Sequence, residues 1–296
     1  MTKESLQKVN SYKKEAILLT IIASSLWGTS FPAIKIGLQF MDVYSFVFLR
    51  FFFAALIMFS IVLFSKKNTF NFNKRLVFFL GFINGIAYFL QYIGMSYTSA
   101  SKASLLVNLT VVWVALLDPL VLKEKIGRTK IIGVILSFSG IVLVTTNLDF
   151  HSFRNGTIIG DVIVIASGIL WAIFILYNKP LVNESKNFLM SLTWLLFFTI
   201  IPLIPLIPFT VEKFLILPLD AWIAIFYTAI FCWNIPYYLW SKGLKKISPV
   251  TSSVILLNEI IVSIIISTIL LGESLTAFTG IGAVLIALAI LLVSIG

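Results

Sequence analysis

Ten separate apolar runs, each about as long as a bilayer is thick, constrain this chain more than any other feature. They cover residues 16–37, 43–64, 76–98, 103–122, 129–147, 158–178, 188–208, 219–241, 249–271 and 276–295. A hydrocarbon core about 30 Å thick requires about 20 helical residues per crossing, and a helix satisfies its own backbone hydrogen bonds there. A transmembrane barrel would instead show alternating strands of about ten residues. We predict an all-α integral membrane protein with ten transmembrane helices.

Composition excludes other classes of protein. Of 296 residues, 59% are hydrophobic and only 11% charged, and no polar half could fold separately as a soluble domain. The connections between runs are too short to hold an enzyme domain. The single cysteine, Cys232, lies in an apolar run and the single histidine, His151, in a polar loop, so we expect no disulfide framework, metal cluster or cofactor.

The positive charges predict how the chain is oriented. Seventeen of the 22 lysines and arginines lie in the amino-terminal tail and in alternate loops, whereas the opposite loops hold only Lys102, Arg154 and Lys213. By the positive-inside rule both termini are cytoplasmic, which explains the net charge of +10 without a nucleic-acid partner. The first run is too long for a signal-peptide core, so we expect it to be retained. The predicted location is the plasma membrane.

The second half of the chain repeats the first. The matching pairs are Tyr88 with Tyr237, Gly94 with Gly243 and Ser104 with Ser253 at an offset of 149 residues, and Trp27 with Trp171 and Lys35 with Lys179 at 144. We predict one membrane domain made of two five-span repeats, residues 1–147 with a short cytoplasmic tail and residues 148–296. Because five crossings is an odd number, the repeats should be inverted, with a midplane cavity exposed alternately to either side. Lys35 and Lys179 are predicted helix-end anchors at opposite faces.

Two ionisable residues lie inside predicted spans, where an unpaired charge costs a few kcal/mol. Glu259, near the middle of span nine, shares a polar stripe with Ser252, Ser263 and Ser267. It is a candidate for binding substrate and for carrying a proton, or a neutral acid hydrogen-bonded to a neighbouring helix. Arg50, in the outer half of span two, is a candidate for binding a substrate carboxylate bidentately. The alternatives for Arg50 are a pair with Glu259 and a structural role.

Uncharged polar and aromatic residues extend the candidate cavity wall. Amide, tyrosine and serine side chains recur at helical spacing in spans three, four and eight, and tryptophans occupy matching depths in spans one and six. Interhelical hydrogen bonding and packing are the competing explanations. The full set of candidate substrate-binding residues is Trp27, Arg50, Asn84, Tyr88, Gln91, Asn108, Trp171, Asn234, Tyr237, Tyr238 and Glu259.

Several motifs resemble those of the EamA family of the drug/metabolite transporter superfamily. They are SSLWGTSFPAIKIG in span one, FLRFFFAAL in span two, the glutamates in VLKEKI and LLGESL after spans four and nine, and YYLWSKGLKKISPVTSS between spans eight and nine. The resemblance implies two inverted five-helix halves, with spans one to four and six to nine around a cavity and spans five and ten outside. It also implies export of small metabolites, amino acids among them. Where the family often has proline in spans four and nine, this chain has Val111 and Ile260, which do not themselves predict a kink.

These observations favour a secondary transporter that exports small metabolites by alternating access, with protons as a candidate coupling ion. The chain has no G-x-x-x-x-G-K-[ST] loop for ATP. The alternatives are an intramembrane enzyme, which would require paired acids or a histidine base, and a channel or scaffold. Expected partners are a small molecule and the bilayer. Small residues in spans five and ten suit packing within a monomer or a homodimer seam: Gly133, Ser137, Gly140, Ala283 and Ala287.

Overall fold

The computed structural model describes residues 3–64, 72–98, 100–123, 125–149, 157–209, 217–271 and 275–295. His151 and the two loop glutamates of the family-like motifs, Glu124 and Glu273, lie outside these ranges.

The described chain folds into consecutive helices. The α-helices are α1 (Lys3–Gly28), α2 (Ser30–Gly37), α3 (Val43–Phe64), α4 (Lys74–Tyr97), α5 (Ala100–Asn108), α6 (Thr110–Val121), α7 (Arg128–Thr146), α8 (Ile158–Glu184), α9 (Phe188–Ile200), α10 (Leu219–Ala229), α11 (Ile235–Leu244), α12 (Pro249–Leu256), α13 (Asn258–Leu271) and α14 (Ala277–Ile295). A 3₁₀ helix, Ile201–Phe209, continues α9, and a π turn, Ile230–Asn234, joins α10 to α11. Spans one, four and nine are each made of two helices, α1 with α2, α5 with α6 and α12 with α13.

Within these ranges, ten helical segments are long and apolar enough to cross a membrane, which confirms the predicted number of spans. Large apolar side chains cover their outer surface, among them Phe64, Leu120 and Ile269, which suits contact with acyl chains rather than water. Polar side chains cap several span starts. The Asn73 carboxamide oxygen accepts the Leu76 amide at 3.1 Å, for example.

One helix contact is built twice, with the two halves exchanged. Gly94 in span three lies against span six, where an added Cβ would come 3.1 Å from the Gly160 carbonyl oxygen. Gly243 in span eight lies against span one, where an added Cβ would come 2.7 Å from the Ala16 carbonyl oxygen. Gly94 and Gly243 are 149 residues apart, and Ala16 and Gly160 are 144 apart. These are the two offsets of the sequence repeat.

Spans four and nine are interrupted at Leu109 and Leu257, which lie within one residue of equivalent places at the 149-residue offset. The Val112 amide donates to the Leu109 carbonyl at 2.9 Å, and the Ile260 amide donates to the Leu257 carbonyl at 3.0 Å. These i to i+3 hydrogen bonds form one 3₁₀ turn in each span, which tightens the helix locally. Val111 and Ile260 occupy the positions where the family often has proline. Both turns form without proline, so these residues did not predict that the two helices are interrupted.

The other irregular spans have no counterpart in the opposite half. Span one is interrupted at Thr29, whereas span six is the single helix α8. Span eight contains the π turn, whereas span three is the single helix α4. The two halves therefore share contacts but bend differently.

Spans five and ten pack on each other through small residues. An added Cβ at Gly140 would come 2.7 Å from the Gly282 carbonyl oxygen, and one at Gly282 would come 2.7 Å from the Gly140 carbonyl oxygen. An added Cβ at Gly133 would meet the side chain of Val293 instead, and Ser137 is fully buried. The small residues of span five thus serve packing within one chain.

Candidate functional site

A cavity of about 450 Å³ lies between the two halves. This volume is within the range of about 300–1,000 Å³ that is typical of small-molecule sites. Its described lining comes from spans one, two, three, four, six, eight and nine. Spans five and ten contribute nothing to this described lining, as the resemblance implies, but neither does span seven, which was expected to take part.

A continuous cluster of aromatic rings forms one wall. The Tyr88 ring lies 4.7 Å from Trp171 and 5.6 Å from Trp233, centroid to centroid. Tyr237 lies 5.4 Å from both Trp233 and Trp240, and Trp240 lies 5.9 Å from Trp27. Most of these contacts are edge-to-face, so the rings hold each other in place while some of their surface faces the cavity. Rings from both halves thus build one rigid wall.

Arg50 lies on the cavity at the edge of this wall and is 4% exposed. Its guanidinium carbon lies 5.1 Å from the centroid of the Phe51 ring, and its side chain is a hydrogen-bond partner of Tyr92. Its Nε has no hydrogen-bond partner among the described atoms. A buried cation with an unused donor is costly unless something pairs with it, so this side chain is suited to receive an anionic group.

Glu259 faces the same cavity from the start of α13, just after the 3₁₀ turn of span nine. Its backbone is packed against span one, because a Cβ added at Gly28 would come 2.6 Å from the Glu259 carbonyl oxygen. Within the described part of the chain, no ion pair joins Glu259 to Arg50, and Tyr88 lies within electrostatic range of both. Arg50 and Glu259 therefore line the same cavity without pairing with each other.

Neutral polar groups complete the lining. Gln91, Asn108, Thr110 and Ser253 all border the cavity. Two of them already have backbone partners: the Asn108 amide donates to the Ser104 carbonyl at 2.9 Å, and the Thr110 hydroxyl donates to the Gly168 carbonyl at 3.0 Å. Thr110 stands at the position that the 149-residue offset relates to Glu259.

The structure gathers most of the sequence candidates around this cavity. The candidates that line it are Trp27, Arg50, Tyr88, Gln91, Asn108, Trp171, Tyr237 and Glu259.

Three candidates are not among the described residues that line this cavity. The Asn84 amide donates to the Thr199 hydroxyl at 3.0 Å, and the Asn234 amide donates to the Ala54 carbonyl at 3.1 Å. Tyr238 packs on Phe188 instead. Buried amides need partners wherever they lie, and here neighbouring helices supply them. Their spacing along the sequence does not distinguish an amide that faces the cavity from one that is hydrogen-bonded to a neighbouring helix.

Several lining residues were missed by sequence reasoning as candidates. They are Ser30, Ile34, Tyr92, Met95, Thr110, Phe174, Ile175 and Trp233. Most are apolar or aromatic residues within apolar runs, where nothing in the pattern distinguishes a cavity face from a packing face. Trp233 matters most, because its indole Nε1 is buried and has no hydrogen-bond partner among the described atoms.

The two ends of the cavity differ. At one end, where spans one and three finish, Met95 is 40% exposed. At the other end, the lining residues Trp240 and Ser253 are 1% and 4% exposed. Among the described residues, the cavity is therefore open at the Met95 end and closed at the Trp240 end.

Comparison with known proteins agrees with this architecture. The model of the EamA-like transporter family matches the chain twice, over residues 14–146 and 158–295. An "Uncharacterized transporter" of Archaeoglobus fulgidus is 28% identical over 277 residues, covering 90% of this chain and 93% of that protein. "Uncharacterized transporter YyaM" of Bacillus subtilis is 27% identical, covering 94% and 93%. A solved structure, described only as the crystal structure of a protein, shares the fold with a TM-score of 0.76 at 13% identity, covering 94% of this chain and 96% of that one.

Proposed function

The chain belongs to the EamA-like transporter family, and from this premise we propose that it is a secondary transporter that exports small metabolites, such as amino acids or related compounds, by alternating access. The observation that carries the proposal is one chamber, lined from both halves, that holds a buried cation and an acid apart on an aromatic wall. Neither the intramembrane-enzyme nor the channel alternative accounts for that arrangement as directly.

The proposed substrate is a small amphipathic molecule with a carboxylate. Arg50 and Trp233 both line the cavity, and each carries a buried donor without a hydrogen-bond partner among the described residues, which favours an acceptor-rich group. The aromatic wall favours an apolar or planar body, and it also attracts an ammonium group through the faces of its rings. A carboxylate at Arg50 with an amino group toward Glu259 would satisfy both charges.

Glu259 is the proposed carrier of a coupling proton. It is the acid among the described residues of the lining, and a carboxyl group can accept and release a proton. Its deprotonated form would attract an amino group on the substrate, so a proton and a substrate would compete for one carboxylate. That competition is the physical basis of exchange between them.

Two inverted repeats are the proposed source of alternating access. The family model matches each half separately, and the Gly94 and Gly243 contacts are equivalent at the two sequence offsets. Each half contains five spans, so consecutive crossings would place the halves in opposite senses. With cytoplasmic termini, the open Met95 end of the cavity faces outward.

Counterflow in proteoliposomes tests this function. Vesicles loaded with unlabelled solute should take up the same labelled solute by saturable exchange when the panel includes amino acids with large apolar side chains, and sugars should not exchange. Arg50→Gln should reduce exchange by about tenfold or more, the loss of a charge-assisted hydrogen bond. Arg128→Gln is the matched control, because Arg128 is exposed at the start of span five. Absence of exchange for every solute, or equal effects of the two substitutions, would contradict the proposal.

A further inference from the structure

An asparagine ties the start of α13 to span one. The Asn258 carboxamide nitrogen donates to the Ser25 hydroxyl at 2.9 Å and to the Ser24 hydroxyl at 3.2 Å. The Ser24 hydroxyl itself donates to the Ile21 carbonyl at 2.9 Å, which leaves its oxygen oriented to accept from Asn258. Because Ser24 is completely buried, the loss of its hydrogen bond to Asn258 would be costlier than the loss of one made in water.

A glycine brings the same two helices into backbone contact. A Cβ added at Gly28 would come 2.6 Å from the Glu259 carbonyl oxygen. It would also come 2.7 Å from the Cβ of Val262, one turn further along α13. Gly28 is four residues after Ser24, so both lie on one face of span one. That face holds the first turn of α13 by close packing as well as by hydrogen bonds.

Asn258 directly precedes Glu259, which borders the cavity. Consecutive side chains of a helix point about 100° apart around its axis, so a fixed direction for one determines the direction of the other. With Asn258 turned to span one, Glu259 is turned to the cavity. The hydrogen bonds of Asn258 also act just after the 3₁₀ turn at Leu257, a kind of interruption at which helices often bend.

The first half makes the corresponding contact differently. The two sequence offsets relate Thr110 to Glu259 and Gly168 to Ser24. The Thr110 hydroxyl donates to the Gly168 carbonyl at 3.0 Å, so the residue at the position of the acid itself bonds to the neighbouring span. In the second half Asn258 makes the bond instead. The side chain that follows Asn258 can therefore face the cavity while the two helices stay joined.

We propose that Asn258 is the positioning residue for Glu259. Its two hydrogen bonds hold α13 on span one in the rotation that presents the carboxyl group to the cavity. The inference rests on the proposed function, because it explains how the proposed proton carrier is kept within reach of the solute. Without these bonds the first turn of α13 is free to rotate, and the carboxyl group faces the cavity for less of the time.

The rate at which a thiol at position 259 is modified tests this inference without any solute. The full chain carries Cys232→Ala and Glu259→Cys, is reconstituted in lipid nanodiscs, and reacts with a small charged methanethiosulfonate. Asn258→Leu should lower the rate by about tenfold, because leucine has a similar size but leaves the orientation without its hydrogen bonds. Ser24→Ala with Ser25→Ala removes the two acceptors and should lower the rate to the same extent.

Two controls distinguish positioning from a general loss of structure. Val107→Cys lies on the cavity wall in span four, and its modification rate should be the same with and without Asn258→Leu. Asn258→Leu combined with both serine substitutions should lower the rate at position 259 no further than Asn258→Leu alone, since both changes remove the same bonds. A fall in rate at both positions or at neither, or effects that add, would overturn the positioning role.

Transport by chains that retain Glu259 separates this inference from the proposed function. In proteoliposomes, Asn258→Leu should reduce proton-driven accumulation by about fivefold or more relative to solute exchange, because a displaced acid is out of reach of the solute. Asn258→Gln keeps a carboxamide donor and should restore part of the accumulation. Normal exchange with a rate at position 259 that is insensitive to Asn258→Leu would refute the positioning role alone. No exchange of any solute, with that rate still sensitive, would refute the proposed function alone.

Discussion

The two halves of the molecule match one family model, yet their spans differ in shape and in charge. Equivalent glycines pack equivalent helix pairs, and spans four and nine carry equivalent 3₁₀ turns. In contrast, span one is broken whereas its counterpart, span six, is not. Likewise, span eight has a π turn whereas its counterpart, span three, does not. Two matching halves that bend unequally thus enclose a chamber whose described residues leave one end open and the other closed.

The ionisable side chains that line the chamber also differ between the two halves. Glu259 corresponds to Thr110 in the first half, and at the 144-residue offset Arg50 corresponds to Trp194 in the second. The repeated residues, such as Tyr88 with Tyr237 and Trp27 with Trp171, build the aromatic wall, whereas the charges occur once each. The residues that match between the halves therefore form the aromatic wall of the chamber, and residues that do not match supply its ionisable groups.

The largest expected effect concerns the acid that only the second half has. Glu259→Gln keeps the shape and hydrogen-bonding capacity of the side chain but removes its titration. We expect loss of proton-driven accumulation while solute exchange remains, as measured by uptake with and without an imposed pH gradient. Glu184→Gln, an exposed acid at the end of span six, is the control and should accumulate normally. If accumulation by Glu259→Gln persists unchanged, coupling through this residue is refuted.

The next prediction compares the two glycine contacts, Gly94 and Gly243, through the free energy of unfolding, where we expect a smaller effect. Gly243→Ala should cost about 1–3 kcal/mol, because its added methyl group would meet the Ala16 carbonyl of a neighbouring backbone. Gly94→Ala should cost less, since the Gly160 carbonyl oxygen would lie 3.1 Å from its added methyl group, against 2.7 Å for the Ala16 carbonyl oxygen at Gly243, and the closer Val164 methyl carbon belongs to a side chain that can move. Thermal unfolding in detergent can be followed by the reactivity of Cys232, which is buried in the folded chain.

Gly280→Ala serves as the control for this pair, because an added Cβ there meets nothing within 4 Å. It should unfold at the temperature of the unsubstituted chain or slightly above it. A larger loss of stability for Gly94→Ala than for Gly243→Ala would contradict this ranking of the two contacts.

The sequence predicted the helices much better than it predicted the walls of the cavity. Apolar runs of 20 residues have few ways to fold in a bilayer, so the number of spans followed from length and hydropathy alone. Arg50 and Glu259 were identified because charges are rare in such runs. Trp233 and Phe174 were not, since an aromatic residue within an apolar run gives no sign of which face it occupies.

Irregular backbone explains the other differences between the helices and faces that the sequence predicts and those that the structure shows. Neither glycine nor proline marks the turns at Leu109 and Leu257, so no local signal announced them. Asn234 lies in the π turn of span eight, where the extra residue changes the angular position of side chains relative to a regular helix. A constant helical spacing predicts one face for Asn234, Tyr237 or Tyr238, and Ser241. Of these four residues, Tyr237 is among the described residues that line the cavity.

The central claim is that two inverted halves enclose one chamber that is reached from each side in turn. A single thiol inside the chamber tests it: Val107→Cys, on the cavity wall, in a Cys232→Ala chain. A membrane-impermeant thiol reagent is added to right-side-out or to inside-out vesicles, and the rate of modification is measured. Our account predicts modification from both sides, faster from the outside because the cavity opens at the Met95 end. Modification from one side only, under every condition that supports transport, would contradict it.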